Sequence, residues 1–159
     1  MKDGVKAELA PASGGSTPSR STLIMQSVKR ECSMNKEIEQ LLHTYQRGLN
    51  EANLDLIRSV YTNDAIVIGQ PFPTATGLEA ILALYADFLS KLDFNVQFDL
   101  LELALSGDLG FIRTRSHGTI VPKGQKPAGS EGNREIFIVK KIQGAWKFYR
   151  YIFNSEVAS

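Results

Sequence analysis

Apolar residues recur every three to four positions in three segments of the chain, and this spacing is typical of amphipathic helices. The first predicted helix begins at a cap formed by Ser33 or Asn35 and ends near Asn50. The second covers residues 54–61. Its predicted N-cap is Asn53, because an Asn side chain accepts hydrogen bonds from the free backbone N–H groups of the first turn.

A third helix follows residues 69–77, a segment rich in proline and glycine that we predict to be a loop. Thr76 and Glu79 stand three positions apart. This is the spacing of a capping box, in which each side chain accepts a hydrogen bond from the backbone N–H of the other residue. The predicted helix carries a broad apolar face formed by Leu78, Ile81, Leu82, Tyr85, Phe88, Leu89 and Leu92.

The remaining apolar pattern has the two-residue period of β-strands. We predict strands over residues 65–68, 94–105, 109–121, 134–142 and 146–154, and a mobile loop over residues 122–133. Helices that come first and strands that follow as a meander predict an α+β domain, with the helices packed on one face of an antiparallel sheet.

Both faces of the last two predicted strands are apolar. In one strand, Ile136 and Ile138 lie on one face, and Phe137 and Val139 lie on the other. In the last strand, Trp146, Phe148 and Ile152 alternate with Tyr149, Tyr151 and Phe153. A sheet with one solvated face alternates apolar and polar residues, so the second face needs a cover. We expect a second copy of the chain to supply it, in a homodimer formed through the sheet.

The first 33 residues differ from the rest, because Ala, Ser, Gly, Pro and Thr dominate them and offer little apolar surface to offset the entropy of ordering. We predict a flexible N-terminal tail over residues 1–33. A short helix over residues 23–30 is an alternative within it, and a role in organelle targeting stays open. Residues 34–155 are the predicted folded domain, and residues 156–159 are a C-terminal tail.

Charge and composition exclude several classes of function. The 18 Lys and Arg residues balance 17 Asp and Glu residues to a net charge of +1, so we expect neither nucleic acid nor a membrane surface as a partner. No apolar stretch approaches the ~20 residues of a membrane span. Cys32 is the only cysteine and the chain has two histidines, so no metal site and no cofactor is predicted. The expected location is cytoplasmic.

Three motifs, in this order and spacing, are similar to those of a known family. Tyr61–Val67 resembles the helix end that enters the first strand of that family, and Arg113–Thr119 resembles its T-R-S-x-G-T strand. Arg134–Phe137, with Gly144–Lys147 and Arg150–Asn154, is similar to its closing hairpin. Over nearly all of the predicted domain, the chain therefore resembles the nuclear transport factor 2-like, or SnoaL-like, family in its ketosteroid-isomerase-like branch.

The resemblance implies a cone-shaped fold, in which a strongly bent antiparallel sheet wraps around three N-terminal helices, with a pocket at the open end and dimerisation through the sheet. It does not fix the function, because this fold hosts isomerases, cyclases, dehydratases, epoxide hydrolases and non-catalytic binding or assembly domains. In the isomerases a carboxylate base stands just before a proline that follows the first strand. In this chain Gln70 precedes Pro71, and an amide cannot act as that base.

The candidate catalytic residues are His117 and Arg115. With Arg113 they stand at every second position of one predicted strand, so the three side chains share a face. If that face lines the pocket, His117 is a general acid or base and the arginines bind a carboxylate or an enolate. If it faces outward, they are interface or solvent residues.

The candidate ligand-binding residues are Tyr45, Phe72, Tyr85, Arg113 and Asn154. The two tyrosines lie on apolar helix faces, where they either belong to the core or direct a hydroxyl into the pocket. Phe72 is flanked by two prolines and is placed to close the pocket mouth. Asn154 either binds a ligand or forms a bond at the strand end. Across neighbouring strands, we expect an ion pair between Glu135 and Arg150.

These inferences predict a domain that binds a small hydrophobic molecule. Either it is a cofactor-independent isomerase, cyclase or dehydratase that acts by acid–base chemistry on a hydrophobic carbonyl compound, or it is a non-catalytic ligand-binding or oligomerisation module of the same fold.

Overall fold

A computed structural model describes residues 15–156 of the 159-residue chain. The helices are α1 (Arg20–Asn50), α2 (Leu54–Val60) and α3 (Leu78–Lys91). The strands are β1 (Tyr61–Gly69), β2 (Ala75–Thr76), β3 (Leu92–Ser106), β4 (Leu109–Pro122), β5 (Glu131–Ile142) and β6 (Ala145–Ser155). In the described part of the chain, no helix has both the length and the apolar content that a membrane crossing requires.

Helix α1 begins at Arg20, so the predicted start at Ser33 or Asn35 is wrong. The chain divides into two compact units, Met1–Cys32 and Ser33–Ser159. Every described side chain of residues 15–33 is exposed, and the first buried residue of α1 is Ile38. A regular spacing of apolar residues is present only where one face of the helix is buried. The exposed first turns of α1 are held by backbone hydrogen bonds, which leave no such pattern in the sequence.

The predicted flexibility of residues 1–33 remains a prediction. Residues 20–33 belong to α1, so the short helix predicted over residues 23–30 is part of a longer one. Residues 1–14 and 157–159 lie outside the described residues, and most of the predicted C-terminal tail lies there with them.

The six strands of the described chain form one sheet in the order β2-β1-β6-β5-β4-β3. Neighbouring strands are antiparallel except for β1 and β6, which run parallel, so the sheet is mixed where an antiparallel one was predicted. The sheet is strongly curled but unclosed, and the helices precede most of its strands. The predicted α+β fold class is confirmed.

A β-bulge in β6 changes which residues face inward. The pairing with β5 shifts by one residue between Phe148 and Arg150, so Tyr149 is an extra residue. Phe148 before the bulge and Tyr151 after it are both buried, whereas Ile152 is 50 % exposed. The predicted alternation placed Ile152 on the same face as Phe148, and the bulge makes that assignment wrong.

The start of α3 differs from the prediction. Gly77 is the N-cap with a φ of 85°, and no side chain caps the helix, so the capping box predicted from Thr76 and Glu79 is wrong. Thr76 is held extended in β2, and the Gly77 N–H donates to the Ala65 carbonyl at 2.8 Å. Glu79 instead forms an ion pair with Arg58, with a nitrogen–oxygen distance of 2.9 Å.

Side-chain amides fix the junction between α1 and α2. Asn53 caps α2 as predicted, because its side chain accepts from the backbone N–H groups of Asp55 and Leu56 at 3.0 and 3.2 Å. The Asn50 side chain donates to the Val96 carbonyl and accepts from the Val96 N–H, both at 2.9 Å. Since β3 is an edge strand, these bonds satisfy backbone groups that no strand pairs, and they hold the end of α1 beside the sheet.

Candidate functional site

A cavity of about 570 Å³ lies between the inner face of the curled sheet and helices α1 and α3. Aromatic and aliphatic side chains form most of its wall. At one side the rings of Phe72 and Phe88 pack edge to face, with centroids 4.8 Å apart. The volume falls within the range of roughly 300–1,000 Å³ that is typical of small-molecule sites, so the cavity has room for a compact organic ligand.

Glu135 is the buried carboxylate of this cavity. It lies on the inner face of β5 because it is two and four residues before the buried Phe137 and Val139, and it is 2 % exposed. Thr114 Oγ1 donates to Glu135 Oε2 at 2.5 Å, and Oε1 is buried with no hydrogen-bond partner among the described residues. Burial raises the pKa of the Glu135 carboxyl to about 7, although hydrogen bonds from Ser116 and Thr114 lower it. Near neutral pH, Glu135 is therefore able both to take up and to release a proton.

Three buried tyrosine hydroxyls form a chain beside this carboxylate. The Tyr85 hydroxyl is 2.6 Å from that of Tyr45 and 2.8 Å from that of Tyr61. Burial raises the pKa of all three, and that of Tyr85 to about 12, so all three stay protonated at neutral pH. Three hydroxyls carry three protons and the two bonds use two, so one proton is left to donate to a further acceptor. Tyr45 and Tyr85 line the cavity.

Ring packing holds the tyrosines in place. The Tyr45 ring meets the Phe148 and Tyr151 rings edge to face, at 5.5 and 6.0 Å between centroids. Phe137 stacks on Tyr151 at 4.0 Å with an angle of 5° between the rings. Such contacts give the hydroxyls a fixed position before any ligand enters.

The structure brings three of the predicted ligand-binding residues to the cavity. Tyr45 and Tyr85 line it from α1 and α3, and Phe72 lines it from the loop between β1 and β2. Gly69, the last residue of β1 before that loop, has no room for a side chain, because a Cβ there would lie 2.1 Å from the Phe153 ring. The binding role of these residues stays a prediction.

The structure places His117, Arg115 and Arg113 on a common face, but this face points away from the cavity. The alternate residues Thr114 and Ser116 are buried on the inner face, and Ser116 lines the cavity. Of the two alternatives that the sequence leaves open for the three basic residues, the structure favours the outward-facing one, because the two-residue period of a strand gives the inner face to the small hydroxyl side chains.

The basic residues on this outer face have carboxylate partners. They are Asp99 for His117 at 3.2 Å, Glu102 for Arg113 at 3.0 Å and Glu156 for Arg115 at 2.9 Å. Asn154 is exposed and does not line the cavity either. The geometry therefore assigns these four residues to the surface, and their catalytic and ligand-binding roles remain without support from the site.

The predicted ion pair between Glu135 and Arg150 does not form. Glu135 lies opposite Phe153 in the sheet and points inward. The Arg150 guanidinium lies 3.6 Å from the centre of the Tyr149 ring and donates to the Asp64 carbonyl at 3.1 Å. The two side chains are on opposite faces of the sheet.

Sequence reasoning missed Glu135, Thr114 and Ser116 as site residues. A signal was present, because Thr114 and Ser116 continue the inner face that begins at the buried Ile112, and Glu135 shares the inner face of Phe137. Counting in steps of two from Ile112 in β4 and from Phe137 in β5 reaches all three.

Within residues 15–156, no group of three or more His, Cys, Asp and Glu side chains is arranged to hold a metal ion. The cavity instead combines an apolar wall, one buried carboxylate and a chain of hydroxyl donors. A curled sheet with helices on its inner side and an apolar cavity between them defines the class of nuclear transport factor 2-like folds. Within that class the chain belongs to the SnoaL-like domain family, whose model matches residues 42–147, more than half of the chain.

Solved structures share this fold. A ketosteroid isomerase-like protein from Erwinia carotovora superposes with a TM-score of 0.70 at 24 % identity, covering 76 % of this chain and 95 % of that one. A protein of unknown function from Mycobacterium tuberculosis gives 0.69 at 16 %, covering 82 % and 76 %. A nuclear transport factor 2-like protein of unknown function from Pseudomonas putida gives 0.66 at 15 %, covering 80 % and 89 %. No curated protein is similar enough to match this chain.

Proposed function

We propose that the domain binds a small hydrophobic carbonyl compound and catalyses a proton transfer on it without a cofactor, as an isomerase, cyclase or dehydratase does. The observation that carries the proposal is the position of Glu135, a carboxylate that is 2 % exposed in an apolar cavity beside a chain of tyrosine hydroxyls. A base whose pKa lies near the working pH transfers protons efficiently in both directions.

The proposed reaction begins at a carbon next to the carbonyl group of the ligand. Glu135 Oε1, the oxygen without a partner, takes the proton from that carbon, and the bonding electrons move to the carbonyl oxygen to form an enolate. The free proton of the tyrosine chain, offered by Tyr45 or Tyr85, hydrogen-bonds to this oxygen. Return of the proton from Glu135 to a different carbon gives an isomer, and a cyclisation or a dehydration starts with the same step.

Two facts about similar proteins support this choice of chemistry. The SnoaL-like fold includes isomerases as well as ligand-binding proteins, and one structural neighbour is named ketosteroid isomerase-like. At 24 % identity that neighbour shares the fold, so the reaction rests on Glu135 and the tyrosines of this chain.

A non-catalytic ligand-binding module is the second candidate, and Gln70 favours it. Gln70 lines the cavity. It stands before Pro71, at the position where the isomerases that this chain resembles have their carboxylate base. An amide there donates and accepts hydrogen bonds but takes up no proton, so the cavity retains binding groups without that base.

Exchange of a ligand proton for deuterium distinguishes the two candidates. The protein is incubated in D₂O with a hydrophobic methyl ketone such as 2-acetylnaphthalene, and deuterium at the carbon next to the carbonyl is followed by mass spectrometry. We expect Glu135→Gln to slow the catalysed exchange by about 100-fold or more, which is typical for the loss of a general base. The matched control is Glu79→Gln, the same change at an exposed carboxylate of α3.

Exchange that survives in Glu135→Gln would contradict the proposed base. Loss of exchange in His117→Ala, with exchange retained in Glu135→Gln, would indicate that His117 on the outer face of the sheet is the catalytic residue. Binding of the ketone without any exchange in the unaltered protein would favour the non-catalytic module.

We also propose that a second copy of the chain covers the outer face of the sheet. Three exposed isoleucines lie side by side on β1, β6 and β5, where Ile152 pairs with both Ile68 and Ile136. Ile152 is 50 % exposed, and Ile68 and Ile136 are each 44 % exposed. A contiguous apolar row of this kind is typical of an interface.

The cytoplasmic location also stays a prediction.

A further inference from the structure

The ionisable side chains that line the cavity, tyrosines apart, all carry the same sign of charge. They are Glu131, Glu135 and Glu156, and among the described residues no Lys, Arg or His lines the cavity. Glu156 is paired with Arg115 at 2.9 Å, and this arginine lies outside the lining. Glu131 and Glu135 have no ion pair within residues 15–156.

The polar groups of the lining are separated by depth. Tyr45, Tyr85 and Glu135 are buried, whereas Ser130, Glu131 and Ser155 are exposed and mark the mouth. Phenylalanine rings and aliphatic side chains make up the apolar part of the lining. A ligand that enters therefore has its apolar body among the apolar side chains and its outer end beside the Glu131 carboxylate and two serine hydroxyls.

Charge decides which ligands this arrangement admits. An anion loses its water on entry, finds no cation in the lining and is repelled by the carboxylates across a medium that screens poorly. A neutral or cationic ligand has no such repulsion, and an O–H or N–H group at its outer end gains an acceptor.

We propose that the cavity selects hydrophobic ligands that carry no negative charge, and that it excludes carboxylates, sulfonates and phosphate esters. The inference rests on the proposed binding function of the cavity, but not on the proton-transfer step. Arg113 and Arg115 do not line the cavity, so the alternative in which these arginines bind an anionic ligand has no support from the lining.

Two fluorescent probes with the same ring system test the selection. N-phenyl-1-naphthylamine is neutral, and 1-anilinonaphthalene-8-sulfonate adds a single sulfonate to it. At about pH 8 we expect the neutral probe to bind at least ~10-fold more tightly. The sulfonate probe also binds exposed apolar surfaces such as the isoleucine row of the sheet. Its affinity for the cavity is therefore taken only from the fluorescence that is lost when the neutral probe displaces it.

Neutral variants show whether the carboxylates cause the difference. We expect Glu131→Gln, and more strongly the double variant with Glu135→Gln, to bring the two affinities at least ~3-fold closer, while Glu79→Gln leaves their ratio unchanged. Equal affinities in the unaltered protein, tighter binding of the sulfonate, no displaceable binding of either probe, or a ratio insensitive to the variants would each overturn the inference. A preserved ratio in a protein that exchanges no ketone proton would overturn the proposed reaction and leave the selection intact.

Discussion

Glu135 is a buried carboxylate, and burial is the main cause of its raised pKa. Its pKa of about 7 in the folded protein exceeds the ordinary value of 4.5, so the folded state holds this proton more tightly than the unfolded chain does. Ionisation of Glu135 therefore opposes folding. The destabilisation is absent below about pH 4.5, grows as the pH rises through that interval, and is complete above about pH 7.

Substitution of Glu135 by Gln removes this titration while keeping the shape of the side chain and an acceptor for Thr114. We expect the variant to be more stable than the unaltered protein at pH 8, by up to about 3 kcal/mol, and the gain to vanish near pH 4.5. Urea unfolding at a series of pH values measures it. If the two stability curves run parallel over this range, Glu135 does not titrate as the structure requires.

Tyr85 is the middle member of the hydroxyl chain. Tyr85→Phe removes the partner of both Tyr45 and Tyr61, whose hydroxyls stay buried, so we expect a loss of about 1–3 kcal/mol in the free energy of unfolding. The matched control is Tyr149→Phe, because Tyr149 is only partly buried and lies outside this chain. Equal effects of the two changes in urea unfolding would show that the hydroxyl chain contributes nothing to stability.

At the scale of the element, the start of α3 depends on backbone conformation and not on a capping side chain. Gly77 has a φ of 85°, where a Cβ is strained, although no atom crowds it closer than 3.9 Å. We expect Gly77→Ala to lower the unfolding free energy by about 1–2 kcal/mol and Thr76→Ala by less than about 0.5 kcal/mol. Thermal or urea unfolding compares them, and a larger effect at Thr76 would favour the capping box.

Most helices and strands were predictable from sequence, because the spacing of apolar residues, two in a strand and three to four in a helix, can be recognised within a short segment. The face of each strand was harder to predict. In β4 the basic side chains of Arg113 and His117 were the predicted site residues, whereas the side chains that face inward are the small hydroxyl side chains of Thr114 and Ser116. In β6 the extra residue Tyr149 reverses the alternation, and nothing in the strand pattern marks a bulge before its partner strand is known.

The site was predictable only in part for the same reason. Tyr45 and Tyr85 lie on apolar helix faces, so their approach to a cavity follows from helical period. Glu135 was not identified, because a carboxylate among apolar residues is ordinarily expected to face water or an ion pair. Its burial depends on Thr114 of the neighbouring strand and on the curl of the whole sheet.

At the scale of the whole molecule, the proposed homodimer depends on the exposed isoleucine row on the outer face of the sheet. Ile152→Lys places a charge in the centre of the isoleucine row and should convert a dimer into a monomer at micromolar concentration, because a buried unpaired charge opposes association. Light scattering reports the mass. Ala83→Lys, an exposed position on α3, is the matched control and should leave the mass unchanged. A monomer without any substitution would contradict the proposal.

The parallel pairing of β1 with β6 joins residues 61–69 to residues 145–155. During synthesis on the ribosome, β1 emerges shortly before its neighbour β2 but long before its other neighbour, β6. The nascent chain must therefore keep the apolar side of β1 from other partners until translation reaches β6, and only then is the sheet complete.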